Sequence, residues 1–100
     1  MYTYYNICVG YRFDYSEEKN FILKSTRKIG FQDIIEAIGK GGLLDNIKHF
    51  NEEKYPNQKI FIVKIKGNIY AVPYVIDNVK RRYFLKTIYP GTKLKKKYTK

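Results

Sequence analysis

The sequence predicts an α+β domain in which two helices pack on a twisted antiparallel sheet of three to four strands. Two helical patterns come first, β-rich runs follow after residue 42, and a Gly-Asn pair separates two of those runs. Helices followed by strands are typical of domains in which the helices cover one face of an antiparallel sheet. A length of 100 residues and a hydrophobic content of 44% suffice for one compact core. We therefore predict a single domain over residues 1–100.

The first helix is predicted within the segment FDYSEEKNFILKST. Either Asp14 or Ser16 can accept a hydrogen bond from a backbone N–H of the first turn. Glu17 and Glu18 follow at positions where the helix dipole favours carboxylates. Gly30 then breaks the pattern, so the helix is expected to end before it.

The second helix is predicted within FQDIIEAIGKGG. Its apolar residues recur at i, i+3, i+4 and i+7, which is the spacing of one buried helical face. These residues are Phe31, Ile34, Ile35 and Ile38. The glycine pair Gly41 and Gly42 marks the end of this helix.

The remaining sequence predicts a meander of strands. LLDNIKH is a short strand, the loop FNEEKYPNQ follows, and KIFIVKIK is apolar enough for a central strand. Gly67 and Asn68 form a two-residue turn that leads into the strand IYAVPYVID. Pro73 cannot donate a ladder hydrogen bond, so it predicts a bulge or an exposed edge in that strand. RYFLKTIY is the last strand, and it ends at Pro90 and Gly91.

The positive charge of the chain is concentrated at its C-terminal end. Residues 1–77 carry 11 basic and 9 acidic side chains, whereas residues 78–100 carry 9 basic and no acidic ones. A basic surface of this kind attracts nucleic acid or an acidic protein. The basic tail, residues 91–100, is therefore expected to form part of a polyanion-binding surface. Residues 1–10 are expected to form either an edge strand or a flexible leader.

The sequence lacks the patterns that mark common catalytic and cofactor sites. It has no Gly-rich phosphate loop, no CxxC pair, no HExxH and no acidic cluster for magnesium, so we expect no metal and no cofactor. Cys8 is the single cysteine and is expected to be a small buried hydrophobe. No apolar stretch is long enough to span a bilayer, and the N-terminus does not resemble a secretory signal. We therefore expect a cytoplasmic protein without a membrane partner.

Basic and aromatic residues are interleaved around the last strand. Strict alternation divides the strand between two faces. One face then carries Arg82, Phe84, Lys86 and Ile88, and the other carries Tyr83, Leu85, Thr87 and Tyr89. Cations neutralise phosphates and aromatic rings stack on unpaired bases, which is the combination that single-stranded RNA binding requires. The alternative is that Phe84 and Ile88 belong to the core and that the tail is simply solvated.

Several short motifs resemble those of the BrnT-type toxins of bacterial toxin–antitoxin pairs. The stretches are RFDYSEEKN, FQDIIEAI, YPNQKIFIVKIKGNIYAVPYVID and FLKTIYPGTKLKKKY, and together they cover roughly residues 12–98. The opening motif of that family is matched by Phe13, Asp14, Lys19 and Asn20. Its helical motif, F-x-D-x-x-E-A, is matched by Phe31, Asp33, Glu36 and Ala37.

The resemblance implies a function as well as a fold. Members of the family have the compact fold of RelE and ParE toxins and are thought to be metal-independent endoribonucleases. In that reaction a ribose 2′-OH attacks the adjacent phosphate, so the site needs cations and proton-transfer groups but no cofactor. The implied partners are RNA and a cognate antitoxin, acidic at its contact with the basic surface, in a hetero-oligomer.

Candidate site residues follow from the chemistry together with the resemblance. Those for charge stabilisation are Lys86, Lys59 and Lys93, and those for proton transfer are Tyr89 and His49. His49 is the only histidine of the chain, and its alternative role is that of an ordinary surface residue. Further residues for RNA binding are Arg81, Arg82, Lys95, Lys96 and Lys97.

The chain also departs from the family pattern. Thr92 stands where relatives commonly have an arginine, and Lys59 stands where they usually have another. Lysine cannot give the planar, bidentate phosphate contact of a guanidinium. Two alternatives to a ribonuclease therefore stay open. One is a non-catalytic module that holds nucleic acid or an acidic protein, and the other is an accessory protein that binds a partner along a strand edge near Pro73.

Overall fold

The computed structural model describes residues 11–49, 51 and 53–91 of the chain. The first elements are β1 (Arg12–Tyr15), α1 (Glu17–Arg27) and α2 (Phe31–Gly39). The remaining strands are β2 (Leu43–Lys48), β3 (Gln58–Ile65), β4 (Asn68–Asp77), β5 (Arg82–Leu85) and β6 (Tyr89–Pro90). The strands form one sheet in the order β1-β5-β4-β3-β2, and β6 pairs with β4 beyond the end of β5.

Within the described residues the sheet has six strands and mixed pairing, so the prediction of three to four antiparallel strands is wrong. β1 runs parallel to β5, with Phe13 opposite Tyr83, whereas the other pairs are antiparallel. A parallel pair needs a long connection, and here the connection contains both helices and the meander from β2 to β4. β1 has only four residues and β6 only two, so neither gives a strong local signal.

Helix α1 begins at the serine of the two predicted caps. Ser16 has extended backbone geometry, and its Oγ accepts a hydrogen bond of 3.3 Å from the backbone N–H of Lys19. Asp14 belongs to β1 instead. The helix buries a narrow stripe that contains Asn20 and Leu23. Much of its remaining surface therefore faces solvent.

Helix α2 confirms the predicted apolar face, since Phe31, Ile34 and Ile38 are buried. The carboxylate of Asp33 accepts a hydrogen bond of 2.9 Å from the backbone N–H of Gly30 at the start of the helix. The buried side chain of Asn20 accepts another, of 2.8 Å, from the N–H of Phe31. This bond links α1 to α2. It also satisfies one of the backbone N–H groups that have no partner within the first turn of α2.

The β3–β4 hairpin turns at Lys66 and Gly67, one residue earlier than the predicted pair. Both residues have positive φ, 50° for Lys66 and 83° for Gly67. Two-residue hairpin turns with positive φ at both positions match the twist of the strands. Ile65 therefore faces Asn68 across the hairpin. The type of connection was predictable, and its register was not.

Pro73 lies in the interior of the sheet, because β4 has β3 on one side and β5 on the other. The exposed-edge prediction is wrong, and so is the proposed partner edge at this residue. The carbonyl of Pro73 accepts a hydrogen bond of 2.8 Å from the N–H of Lys86. A strand residue directs its N–H and C=O to the same neighbour, so the missing N–H of Pro73 also faces this segment. β5 ends at Leu85, beside this missing donor.

Both helices pack on one face of the sheet. The larger buried cluster combines helix residues with sheet residues, and it includes Leu23, Phe31, Ile34, Ile38, Phe61, Tyr74, Tyr83, Leu85 and Ile88. A smaller cluster on the opposite face contains Ile60, Ile62, Ile69 and Ala71. Neither described helix is long and apolar enough to cross a membrane.

Candidate nucleic-acid interface

A bulge between β5 and β6 decides which side chains share a face. Leu85 pairs with Tyr74, and Tyr89 pairs with Ala71. Three residues therefore lie between the paired positions on the last strand, against two on β4. One extra residue shifts the alternation of the bulged strand.

Because of the bulge, two residues lie on the opposite face of the sheet from the one predicted. Ile88 turns into the core beside Tyr83 and Leu85, although strict alternation places it with Lys86. Tyr89 shares a face with Ala71 and so lies on the side that carries Phe84 and Lys86. The bulge thus places two of the predicted catalytic residues, Lys86 and Tyr89, on the same side of the sheet.

Cations lie against aromatic rings in two groups along this edge of the sheet. The guanidinium carbon of Arg82 lies 4.9 Å from the centre of the Phe84 ring, and the Lys86 Nζ lies 5.4 Å from the same ring. The guanidinium carbon of Arg27, from α1, lies 5.7 Å from the ring of Tyr89. These distances allow cation–π attraction. We call this set, Arg82, Phe84, Lys86, Tyr89 and Arg27, the cation–aromatic row.

Arg82 is held at one end of the row by two carboxylates. Its Nη1 donates a hydrogen bond of 2.7 Å to Asp14 Oδ2 in β1. Its Nε lies 3.4 Å from Asp77 Oδ2 but is not aligned for a hydrogen bond, so this contact is an ion pair only. Arg82 thereby links the ends of β1, β4 and β5. Its charge is largely matched within the protein.

The same contacts lower the pKa values of both carboxyls. The hydrogen bond from Arg82 is the main cause that holds the pKa of Asp14 below its ordinary value, and the N–H of Tyr15 adds to it. For Asp77 the main cause of the lowered pKa is the backbone N–H of Lys80, with a further contribution from the charge of Arg82. Both carboxylates are therefore ionised at neutral pH.

These ion pairs predict how stability depends on pH. Folding lowers both carboxyl pKa values from 3.8, so their stabilisation is complete at neutral pH and is lost as the pH falls below that value. We expect Arg82→Gln to lower the free energy of unfolding at neutral pH, because it removes the cation that pairs with both carboxylates. The loss should be small, because the pairs are partly exposed. The variant should then lose less stability than the wild type between about pH 5 and about pH 3.

Urea unfolding at these pH values measures both effects. Arg81→Gln is the matched control, because Arg81 is the exposed neighbour of Arg82. The control should keep the acid-dependent loss of the wild type. An Arg82→Gln protein with the same acid-dependent loss as the wild type would show that these pairs do not set the pH dependence.

Further exposed cations lie beside the Arg82 end of the row. Arg12 in β1 is exposed, and its Nη1 donates a hydrogen bond of 3.2 Å to the carbonyl of Lys80. Lys80 and Arg81 are exposed in the turn between β4 and β5. The predicted RNA-binding residue Arg81 therefore lies next to the row, while Arg82 lies within it.

Two other predicted residues lie elsewhere. Lys59 is opposite Tyr74 and shares the helix-covered face, whereas Lys86 lies beside Phe84 on the other face. His49 follows β2, its Nδ1 accepts a hydrogen bond of 3.0 Å from the N–H of Asn51, and its ring centre lies 4.6 Å from that of Tyr55. The structure does not bring either residue to Lys86.

Some candidates lie outside the described residues. These are Lys93, Lys95, Lys96 and Lys97, together with Thr92 and Cys8. Within the described residues, no three side chains of His, Cys, Asp or Glu are grouped so that they could hold a metal ion.

Arg27 is the member of the row that sequence reasoning missed. It lies in the last turn of α1, and its Nη1 donates a hydrogen bond of 3.0 Å to the carbonyl of Ile88. These two residues are 61 positions apart in the chain. The local sequence shows only a basic residue near a helix end, which commonly serves the helix dipole.

No family model, no curated protein and no solved structure matches the chain.

Proposed function

We propose that this protein is a metal-independent endoribonuclease toxin of the BrnT-like kind, which binds single-stranded RNA along the cation–aromatic row. The observation that supports the proposal is the pairing of cations with aromatic rings in two groups. The first group contains Arg82, Phe84 and Lys86, and the second contains Tyr89 and Arg27. Cations at intervals can follow a phosphate backbone, and rings between them can stack on unpaired bases. The proposed partner that restrains it is an antitoxin with an acidic contact surface.

The residues of the row have different proposed roles. Lys86 is exposed and at the centre of the row, so its ammonium group can contact a phosphate. Tyr89 has 49% of its surface exposed and can offer its ring to a base or its hydroxyl to a phosphate oxygen. Arg82 has partners in Asp14 and Asp77, so we assign it to holding Phe84 rather than to binding phosphate.

The proposed cleavage needs no metal. The ribose 2′-oxygen attacks the adjacent phosphorus, the 2′-OH proton passes to water, and the bond to the 5′-oxygen breaks. The products are a 2′,3′-cyclic phosphate and a 5′-hydroxyl. Lys86 stabilises the charge that develops on the phosphate oxygens, and the Tyr89 hydroxyl donates a proton to the leaving oxygen.

A second candidate function is a non-catalytic RNA-binding module. One observation favours it: Lys59 and His49, two residues that the ribonuclease chemistry would use, lie away from Lys86. The row would then hold RNA without cleaving it. The two functions differ in one measurable way, which is the integrity of the bound RNA.

Controlled expression in bacteria tests the proposal. We expect the wild type to arrest growth and to leave RNA fragments that end in a 2′,3′-cyclic phosphate. The double variant Lys86→Ala, Tyr89→Phe should permit growth and leave RNA intact, because it lacks the proposed charge and proton donor.

Lys54→Ala is the matched control, because the Lys54 Nζ also lies 5.4 Å from an aromatic ring, that of Tyr55, but outside the row. This variant should be as toxic as the wild type. Intact RNA in cells that express the wild type would favour the non-catalytic module. A double variant as toxic as the wild type would exclude the row as the site.

A further inference from the structure

A pocket of about 370 Å³ lies at the end of α1, on the helix-covered face of the sheet, and Arg27 is the residue that it shares with the row. It is lined by Arg27, Ile29, Tyr70, Ile88 and Pro90. The volume lies within the range of roughly 300–1,000 Å³ that is usual for small-ligand pockets. The pocket joins the end of α1 to the strands β4 and β6, so it exists only in the folded chain.

The lining suits a flat ligand with an electronegative edge. Ile29 and Ile88 are buried and apolar, and Tyr70 offers a half-buried ring. Arg27 is the one charged group among the described lining residues. A heterocyclic base has both properties, an apolar face for the walls and acceptor atoms for the guanidinium.

Arg27 is fixed in place on two sides. Its Nη1 donates to the carbonyl of Ile88 at 3.0 Å, and its guanidinium carbon lies 5.7 Å from the ring of Tyr89. A guanidinium carries five N–H groups, so one bond to a carbonyl leaves donors for a ligand. A fixed fork of donors can distinguish bases, because only guanine offers two adjacent acceptors, O6 and N7, on its major-groove edge.

The surroundings of the pocket suit the phosphates on either side of such a base. Lys24 and Lys28 flank Arg27 near the end of α1, and all three side chains are exposed. The acidic residues of this helix, Glu17 and Glu18, lie in its first turn. At a rise of about 1.5 Å per residue they are roughly 15 Å away from Arg27 along the helix axis.

We propose that this pocket receives one unpaired base of the bound RNA and that Arg27 selects guanine there. The inference rests on the proposed function, because it takes RNA as the ligand of the row. It goes further in assigning a base preference, which the row by itself does not supply. Stacking on Phe84 and Tyr89 tolerates every base, whereas a fork of donors does not.

Titration with single nucleotides tests the pocket without any RNA cleavage. The probes are guanosine, adenosine, cytidine and uridine monophosphate, and the readout is the NMR shift of the Ile29 and Ile88 methyl groups. We expect guanosine monophosphate to shift both methyl groups and to bind about tenfold more tightly than the other three. Arg27→Lys keeps the charge but loses the fork, so it should abolish this preference while weak binding remains.

Lys54→Ala is again the control, and it should keep the preference for guanosine monophosphate. Equal binding of the four nucleotides, or shifts confined to residues outside the pocket, would overturn the inference. An unchanged preference in Arg27→Lys would overturn the role of Arg27. A protein that prefers guanosine monophosphate but leaves cellular RNA intact would support the base pocket and exclude the ribonuclease function. Failure of the pocket proposal can therefore be distinguished from failure of the proposed function.

Discussion

Replacement of Phe61 by alanine is expected to lower the free energy of unfolding by about 3–5 kcal/mol. Phe61 is fully buried in β3, on the face that the helices cover. Its ring is stacked on that of Tyr74, with 3.8 Å between the centres and 5° between the planes. The rings of Tyr83 and Phe13 meet it edge-on at 5.9 Å and 6.1 Å. Because the truncation removes the ring that all three contact, it affects β1, β4 and β5 together.

Phe21→Ala is the matched control for this prediction. Phe21 lies on the outer face of α1 with 73% of its surface exposed. The same substitution there should change the free energy of unfolding by less than about 0.5 kcal/mol. Urea unfolding, with the slope of the transition compared as well, measures both variants. Similar losses for Phe61→Ala and Phe21→Ala would mean that the core is not centred on Phe61.

The two helices could be predicted because their signals are local. Ser16 is a cap followed directly by two carboxylates, and α2 repeats its apolar residues at helical spacing. The meander from β3 to β5 was also predictable, because short turns connect its strands. Local information does not specify the parallel pairing of β1 with β5, since Asp14 and Arg82 meet across 68 residues of sequence.

Part of the candidate site followed from the sequence in the same way. Arg82, Phe84 and Lys86 share a face by simple alternation, and the structure agrees. Alternation fails after Lys86, because a single extra residue in the bulge reverses the faces of Ile88 and Tyr89. Pro73 predicted a bulge or an edge in its own strand, whereas the extra residue lies in the strand opposite it. The contribution of Arg27 arises from tertiary packing alone.

The second large effect is expected on RNA affinity. The double variant Lys86→Ala, Tyr89→Ala should bind single-stranded RNA about tenfold to a hundredfold more weakly, since one stacked base alone is worth about 1–3 kcal/mol. Both side chains are exposed, so their loss should leave the fold intact. Removal of one phosphate contact should also reduce the slope of log affinity against log salt by about 0.7.

The most direct test is therefore the affinity for a single-stranded RNA, measured over a series of salt concentrations for three proteins. These are the wild type, the double variant Lys86→Ala, Tyr89→Ala and the control Lys54→Ala. The proposal predicts that the double variant binds RNA more weakly and with a smaller salt dependence, whereas Lys54→Ala stays close to the wild type. Equal losses in the two variants would mean that RNA responds only to net charge and would contradict a binding site at the cation–aromatic row.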